Sequence, residues 1–289
     1  MAASSLVRPY YELIKPERTL ANGLTTLAGF LLAANGHINF ALLAETLIGV
    51  CLVVASACAF NNYYDRDIDS AMQRTKGRVL VKGEIPPLAA VAYAAILGLA
   101  GFVVLGVYTN WPTVLTGIVG MVDYLLLYGP AKRRTVYSTL IGTICGATPI
   151  VAGYTAVTGM FDLGALLLFL IMVSWQMAHF YAIGVYRRKD YAAAGLPIWP
   201  VKNGVASTKR QIVFFIAVFI VITARLTLSG YAGLVYLVVS VGLGLAWLYK
   251  GLRGVRAADS DKWARGMFGF SLVVLLGFST AMALNAWIP

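Results

Sequence analysis

The residues best suited to chemistry lie in one short stretch, Asn61-Asn62-Tyr63-Tyr64-Asp65-Arg66-Asp67-Ile68-Asp69. If the apolar run before it continues as a helix, Asn61, Asp65 and Asp69 stand at i, i+4 and i+8 and share one face. Two carboxylates and an amide oxygen at the end of an apolar helix form a hard-oxygen site. Such a site suits Mg²⁺, which takes a few carboxylates and completes its octahedron with water and substrate phosphate. Asp67 falls on the opposite face and is expected to stay outside. Arg74, Lys76, Arg78 and Lys82 follow, with Gly77 and Gly83 among them. Carboxylates that hold a cation, beside basic groups that hold phosphate oxygens, are the parts needed to bind and ionise a diphosphate. Spacing alone leaves two other readings open. One is the ion relay of a secondary transporter. The other is a solvated loop whose acids balance Arg66, Arg74 and Lys76. A calcium-binding EF-hand is excluded, because its sixth position would be Ser70 in place of Gly and its twelfth Lys76 in place of Glu.

The elements around this stretch must be membrane helices. The chain has 289 residues, 60% hydrophobic and 12% charged, about half the charge of a soluble domain. Nine apolar runs are expected to span a bilayer, at about 20–36, 42–60, 88–108, 111–129, 138–158, 164–185, 211–229, 231–249 and 267–288. Of the 23 basic residues, 22 fall on alternate connections, the exception being Arg225. This bias puts the N-terminal segment 1–18 and the C-terminus on opposite sides, with the N-terminus in the cytoplasm and the C-terminus outside. The formal charge of +11 is therefore topological, and nucleic acid is not an expected partner. The outward connections are short. The inward ones are long, at 61–87, 186–210 and 250–266, so the working face is expected to be cytoplasmic. Cys51, Cys58 and Cys145 match no metal or disulfide spacing and read as packing residues.

With these residues in view, the chain resembles a known family. Asn61-xxx-Asp65-xxx-Asp69, then Arg74-Thr75-xx-Arg78 and Gly83, is similar to the first signature of the UbiA superfamily of intramembrane prenyltransferases. The likeness is greatest to a haem-modifying branch. Arg78-Val79-Leu80, Tyr137-Ser138-Thr139-Leu140-Ile141-Gly142 and Trp175-Gln176-Met177-Ala178-His179-Phe180-Tyr181-Ala182-Ile183 carry it, as does the stretch from Lys189-Asp190-Tyr191 to Leu196-Pro197. The likeness runs over nearly the whole chain. It implies an all-α bundle of nine transmembrane helices forming a single domain over 1–289, with active-site loops at 61–87 and 186–210. It also implies Mg²⁺ held by Asn61, Asp65, Asp69 and Asp190, which are the catalytic groups. Arg66, Arg74, Arg78, Lys82, Lys132, Arg133, Tyr186 and Lys189 are then candidates to bind a prenyl diphosphate.

Two departures from the family pattern stand out. Val79 occupies a position where the superfamily usually has Pro. The second motif, commonly Asp-xxx-Asp, reads Tyr186-Arg187-Arg188-Lys189-Asp190 and keeps one carboxylate. In the branch resembled, the donor is farnesyl diphosphate and the acceptor is haem b. A vinyl group attacks C1 of the farnesyl cation and water captures the resulting cation, giving haem O and diphosphate. His179 is then a candidate ligand for the haem iron. The expected setting is the inner membrane of a bacterium, in contact with haem A synthase or a terminal oxidase assembly. The rival within the family acts on a quinone precursor or another aromatic acceptor. Asp123, inside the fourth run, belongs to no recognised pattern; an intramembrane acid rarely faces lipid.

Overall fold

In lipid every backbone N–H and C=O must be satisfied within the protein, so long apolar runs must become helices. The computed structural model describes residues 2–288, and among them it holds helices and turns with no strand. In order they are α1 (Ala2–Leu13), α2 (Pro16–Ala34), α3 (Phe40–Tyr64), α4 (Arg66–Ala71), α5 (Pro87–Tyr108) and α6 (Trp111–Val122). A π-helical segment (Asp123–Tyr128) then joins α6 to α7 (Gly129–Arg134). After these come α8 (Ser138–Thr158), α9 (Leu163–Tyr186), α10 (Arg188–Ala193), α11 (Trp199–Lys202), α12 (Gly204–Leu228), α13 (Leu234–Gly254) and α14 (Ser260–Ala283).

Eight helices among the described residues are long and apolar enough to cross a membrane, taking Trp111–Arg134 as one. The expected first span is α2. At 19 residues it is long enough, but Glu17, Arg18, Asn22, Thr25 and Thr26 make it too polar to qualify by composition. Two features let α2 carry these residues: Glu17 and Arg18 stand exposed on its first turn, and the helix packs its threonines inward. It lies against α3, α8 and α14, and Thr25, Thr26 and Phe30 are buried. The last three expected spans also shift. α12 and α14 begin seven residues earlier than expected, and α13 runs on to Gly254, because these helices continue past their apolar stretches through polar residues such as Lys209, Lys250 and Lys262.

Lipid tails are as apolar as leucine, so the helices of a bundle gain little from hydrophobicity and associate by close packing of small residues. At the α2–α8 crossing, a Cβ on Gly29 would collide with the carbonyl of Ile150, and one on Gly153 with the carbonyl of Thr26. The α3–α5 pair is similar: a Cβ on Gly101 would sit 2.9 Å from the backbone nitrogen of Val53. The other half of the bundle interlocks large side chains, with Trp247, Phe219, Phe278, Ile216 and Tyr236 fully buried between α12, α13 and α14. Short polar caps start several helices. Asn39 accepts from the Leu42 amide at 3.1 Å, Asn110 from Thr113 at 3.1 Å and Asp162 from Ala165 at 2.9 Å.

Candidate active site

The acidic stretch sits where α3 gives way to α4. Asp65 leaves helical geometry with φ −93° and ψ 7°, yet its amide still bonds to the Asn61 carbonyl at 2.9 Å and its carbonyl accepts from Asp69 at 2.8 Å. The i, i+4, i+8 alignment therefore survives the break. Asn61, Asp65 and Asp69 are all buried, at 5%, 2% and 3% exposure, a state that acids reach only when paired or liganded. Asp67 turns the other way, as its spacing requires. Arg133 grips it in a fork, Nη1 donating at 2.6 Å and Nη2 at 2.7 Å, and also donates to the Tyr64 carbonyl at 3.0 Å. This pair joins α7 to α4.

The partners of the buried acids come from both near and distant parts of the chain. Lys132 of α7 donates to Oδ2 of Asp65 at 2.7 Å, and Asn61 Nδ2 donates to the same oxygen at 2.7 Å. Arg78 forms an ion pair with Asp69. Thr75 fixes the loop between them by donating to the Asp69 carbonyl at 3.0 Å. Oδ1 of Asp65 is buried and has no hydrogen-bond partner.

Lys15 is an addition that spacing did not reveal. It stands between α1 and α2 in the left-handed region, at φ 48°, and donates from Nζ to Oδ1 of Asn61 at 2.6 Å. A non-glycine residue there is uncommon and costs about 1–2 kcal/mol. Asn62 holds this corner in place, its amide donating to the Leu13 carbonyl at 2.8 Å. Burial, followed by repulsion from Arg18, lowers the Lys15 pKa well below its usual range. The network also fixes the Asn61 amide. Only the orientation with oxygen toward Lys15 and nitrogen toward Asp65 satisfies both neighbours.

Asn61, Asp65, Asp69, Arg78 and Lys132 form the polar end of a cavity of about 540 Å³. Arg18, Arg74, Arg78, Lys132 and Arg187 line it together with only two carboxylates, Asp65 and Asp69. This excess of positive charge suits a polyanion. The remaining wall is mostly apolar. Val50, Val53, Leu105 and Met121 line it from α3, α5 and α6, and Trp175, His179, Phe180, Phe268 and Leu272 from α9 and α14. Tyr124 and Tyr128, stacked 5.7 Å apart, lie on the wall between the charged end and the apolar part. A chamber with one cationic end and an apolar body matches an amphiphile with an anionic head.

Comparison with known proteins agrees with this geometry. The model of the UbiA prenyltransferase family matches residues 22–287. The chain belongs to the UbiA prenyltransferase family. A protohaem IX farnesyltransferase of Yersinia pseudotuberculosis is 47% identical over 281 residues, covering 97% of this chain and 95% of that relative. The fold recurs in a digeranylgeranylglyceryl phosphate synthase at TM-score 0.81 and 17% identity, covering 97% of this chain and 98% of the other. It recurs again in a UbiA homologue of Archaeoglobus fulgidus bound to GPP and Mg²⁺, at TM-score 0.72 and 15% identity, covering 95% and 99%.

Of the residues singled out from sequence, this UbiA chain brings Asn61, Asp65, Asp69, Arg74, Arg78, Lys132, His179 and Tyr186 onto the cavity wall. The others stand apart from it. Arg66 stacks over Tyr63 at 5.9 Å, Lys82 lies exposed beside Glu84 at 3.6 Å, Arg133 is taken by Asp67, and Lys189 is exposed. Asp190 faces Arg187 at 3.6 Å, and Arg187 rather than Asp190 reaches the wall. Among the described residues no three His, Cys, Asp or Glu groups come together to hold a metal by themselves. Arg18, Arg187, Tyr124 and Tyr128 are among the wall residues that sequence reasoning missed. Arg18 had a visible signal, a cation at the entry to an apolar helix, but positive-inside topology accounted for it equally well. Asp123 does not reach the wall; its carboxylate accepts the Cys145 amide at 2.9 Å, tying the π-helical segment to α8.

The Asp67–Arg133 pair gives a test away from the cavity. Arg133 lowers the Asp67 pKa to about 2. A depressed carboxylate contributes stability above its unfolded value, about 3.9, and loses it as pH falls through the folded one. The Asp67 side chain is 68% exposed, so the contribution is small, about 0–1 kcal/mol. Asp67→Asn should therefore unfold slightly earlier than the parent at pH 6, and the two melting curves should converge as the pH approaches 2.

Proposed function

We propose that this chain transfers the farnesyl group of farnesyl diphosphate to a vinyl group of protohaem IX, with addition of water, giving haem O and diphosphate. The observation that carries the reading is the chamber itself, whose cationic, carboxylate-bearing end adjoins an apolar body that reaches His179. Close identity to a protohaem IX farnesyltransferase over nearly the full length supports the same acceptor. Alternate-connection charge supports a cytoplasmic active site in a bacterial inner membrane, with α2 as the ninth span and the C-terminus outside. An apolar product such as haem O is best passed on within the bilayer, which favours direct contact with haem A synthase or a terminal oxidase assembly.

Each wall has its own part in the reaction. The farnesyl chain lies among the apolar residues of α3, α5 and α6, and the diphosphate lies at the charged end. Arg78, Arg74, Arg18 and Lys132 hold its oxygens and stabilise the charge that grows as the C1–O bond breaks; stabilisation aimed at developing charge is usually the largest catalytic term. The bare Oδ1 of Asp65 and the Asp69 carboxylate are the oxygens that would hold Mg²⁺, with the Asn61 oxygen joining through the lone pair that Lys15 leaves free, while Asp190 stands apart beside Arg187. When bound, the ion neutralises the leaving diphosphate. The apolar wall keeps water from the allylic cation until the vinyl terminus bonds to C1. Positive charge then rests on the vinyl carbon next to the porphyrin. Water adds there and one proton leaves.

Membranes holding the chain, supplied with haem b, farnesyl diphosphate and Mg²⁺, are expected to yield a haem heavier by a hydroxyethylfarnesyl group on mass analysis. A folded, fully supplied sample that makes no such species would overturn the haem reading and turn attention to aromatic acceptors.

Lys15 gives a sharper expectation. Asn tolerates the left-handed region, so Lys15→Asn should keep the backbone while deleting the ammonium. A charged hydrogen bond contributes about 1.5–3 kcal/mol. The melting temperature should therefore fall by a few degrees, because the bond to Asn61 lies within the protein, and the KM for farnesyl diphosphate should rise as Asn61 and the Asp65 carboxylate it holds lose their fixed orientation. An unchanged KM would make Lys15 a purely structural corner.

A further inference from the structure

The side-chain network around His179 points to a defined role for one of its nitrogens. The ring is 7% exposed and forms part of the cavity wall. Its Nδ1 lies 2.6 Å from the Ser271 hydroxyl, and that hydroxyl lies 2.6 Å from the Phe268 carbonyl. A serine hydroxyl has a single proton. The carbonyl can only accept, so the hydroxyl gives its proton there and must accept from His179. Nδ1 therefore carries the ring proton, and Nε2 keeps its lone pair.

The ring is also held in place. Trp175 stacks on it at 4.7 Å between centroids, with the planes 20° apart, and donates its indole N–H to the Ser271 carbonyl at 2.9 Å. Phe180 and Phe268 close in at 5.2 and 5.0 Å. Nε2 makes no hydrogen bond among the described residues. Nε2 is not among the sealed, unpartnered side-chain atoms, so it opens on the cavity that His179 lines. An oriented imidazole, protonated on Nδ1 with a bare Nε2 facing a cavity, is the arrangement found in metal-ligating histidines, whose other nitrogen donates to a fixed oxygen.

Resting on the haem-acceptor reading, we infer that Nε2 of His179 is an axial ligand to the iron of the incoming haem and that Ser271 is a positioning residue setting its tautomer. The Fe–N bond forms on the Nε2 lone pair, with no change in oxidation state and no proton lost. His179 lies seven residues before the end of α9, about 10 Å down a helix, and thus below the charged end. Phe268, Leu272 and Leu275 of α14 continue the wall beside it and offer an apolar face to a porphyrin. Ligation would fix the depth of the acceptor on the α9–α14 side, opposite the α3–α5–α6 side that takes the prenyl chain.

The test uses the full chain in detergent, titrated with protohaem and followed by absorption and resonance Raman spectroscopy, with haem O production assayed in parallel. Wild-type protein should show an iron–imidazole vibration in the ferrous state. His179→Gly should lose it, bind haem at least about 10-fold more weakly, and recover the band on addition of free imidazole. His179→Gln, closer in size, repeats the test if the glycine variant does not fold. His37→Ala, which alters the other histidine of the chain, should match wild type. Ser271→Ala should keep the band but shift it to lower frequency, because the ring loses the acceptor that raises its basicity. A folded His179 variant with the wild-type haem spectrum would overturn the ligation, and if wild type still makes haem O the acceptor reading stands alone. Wild-type protein that neither binds haem nor makes haem O would overturn both.

Discussion

Asp65→Asn should lower the rate of diphosphate release about 10²–10³-fold, the range seen when one preorganised electrostatic contact to developing charge is removed, while leaving the fold intact. The separation of the two effects follows from the hydrogen bonds. Lys132 and Asn61 both donate to Oδ2 of Asp65. An asparagine in its place must turn its oxygen toward those donors, which directs its NH₂ to the position of the unpartnered Oδ1. The substitution thus keeps both structural contacts and puts a donor where a cation or its water would sit. Asp65→Ala differs. It leaves the Lys132 ammonium, 14% exposed, and the Asn61 amide without a partner, and breaking a buried pair costs about 3–5 kcal/mol. Single-turnover release of labelled diphosphate, paired with melting curves in detergent, checks both. Asp65→Asn at more than a tenth of wild-type rate would remove Asp65 from the ionisation step. Asp65→Asn as unstable as Asp65→Ala would mean that the charge of Asp65, rather than its hydrogen bonds, holds α7 to α3.

The contrast between Asp65 and Asp190 indicates what was legible in the sequence. Helix periodicity is a local property, so Asn61, Asp65 and Asp69 could be aligned from spacing, and Asp67 could be assigned to the far side for the same reason. Arg78 was also within reach, nine residues from its partner Asp69. Lys15 was not, because its contact with Asn61 spans 46 residues and depends on a left-handed corner and on Asn62 holding the end of α1. Charge type misled in a consistent way. Arg66, Lys82, Arg133 and Lys189 are as basic as Arg74 and Arg78, and composition cannot tell a cation committed to Tyr63, Glu84 or Asp67 from one left to face a cavity. The helices were legible wherever they were apolar. α2 marks the limit: its Thr25 and Thr26 are tolerated because neighbouring helices cover them, which no window over a single sequence can register.

That covering is itself open to test. Gly153→Ala should destabilise the protein by about 1–3 kcal/mol or more, the cost of forcing a methyl group into a packed interface. Gly106→Ala should instead stabilise it by up to about 1 kcal/mol, the helix propensity gained. Both glycines lie inside long helices, so propensity alone predicts the same sign for both. Their surroundings differ. A Cβ on Gly106 meets nothing within 4 Å, whereas one on Gly153 meets the Thr26 carbonyl and, at 2.9 Å, the Phe30 nitrogen. Backbone cannot move aside as a side chain can, so α2 and α8 would have to separate. Arg18, Ala21, Asn22 and Thr25 of α2 all line the cavity, and separation would pull them away from Asn61 and Lys132. Gly153→Ala is therefore expected to raise the KM for the diphosphate substrate as well as lower the melting temperature, whereas Gly106→Ala should leave KM unchanged. Gly29→Ala, on the other side of the same crossing against the Ile150 carbonyl, should reproduce the first pattern, and the double variant should cost less than the sum of the two. Once the helices have moved apart for one methyl, the second finds room, and coupling of this kind is expected of residues that share one interface. Additive losses would mean that the two glycines do not share the crossing, and that α2 is held in the bundle by other contacts.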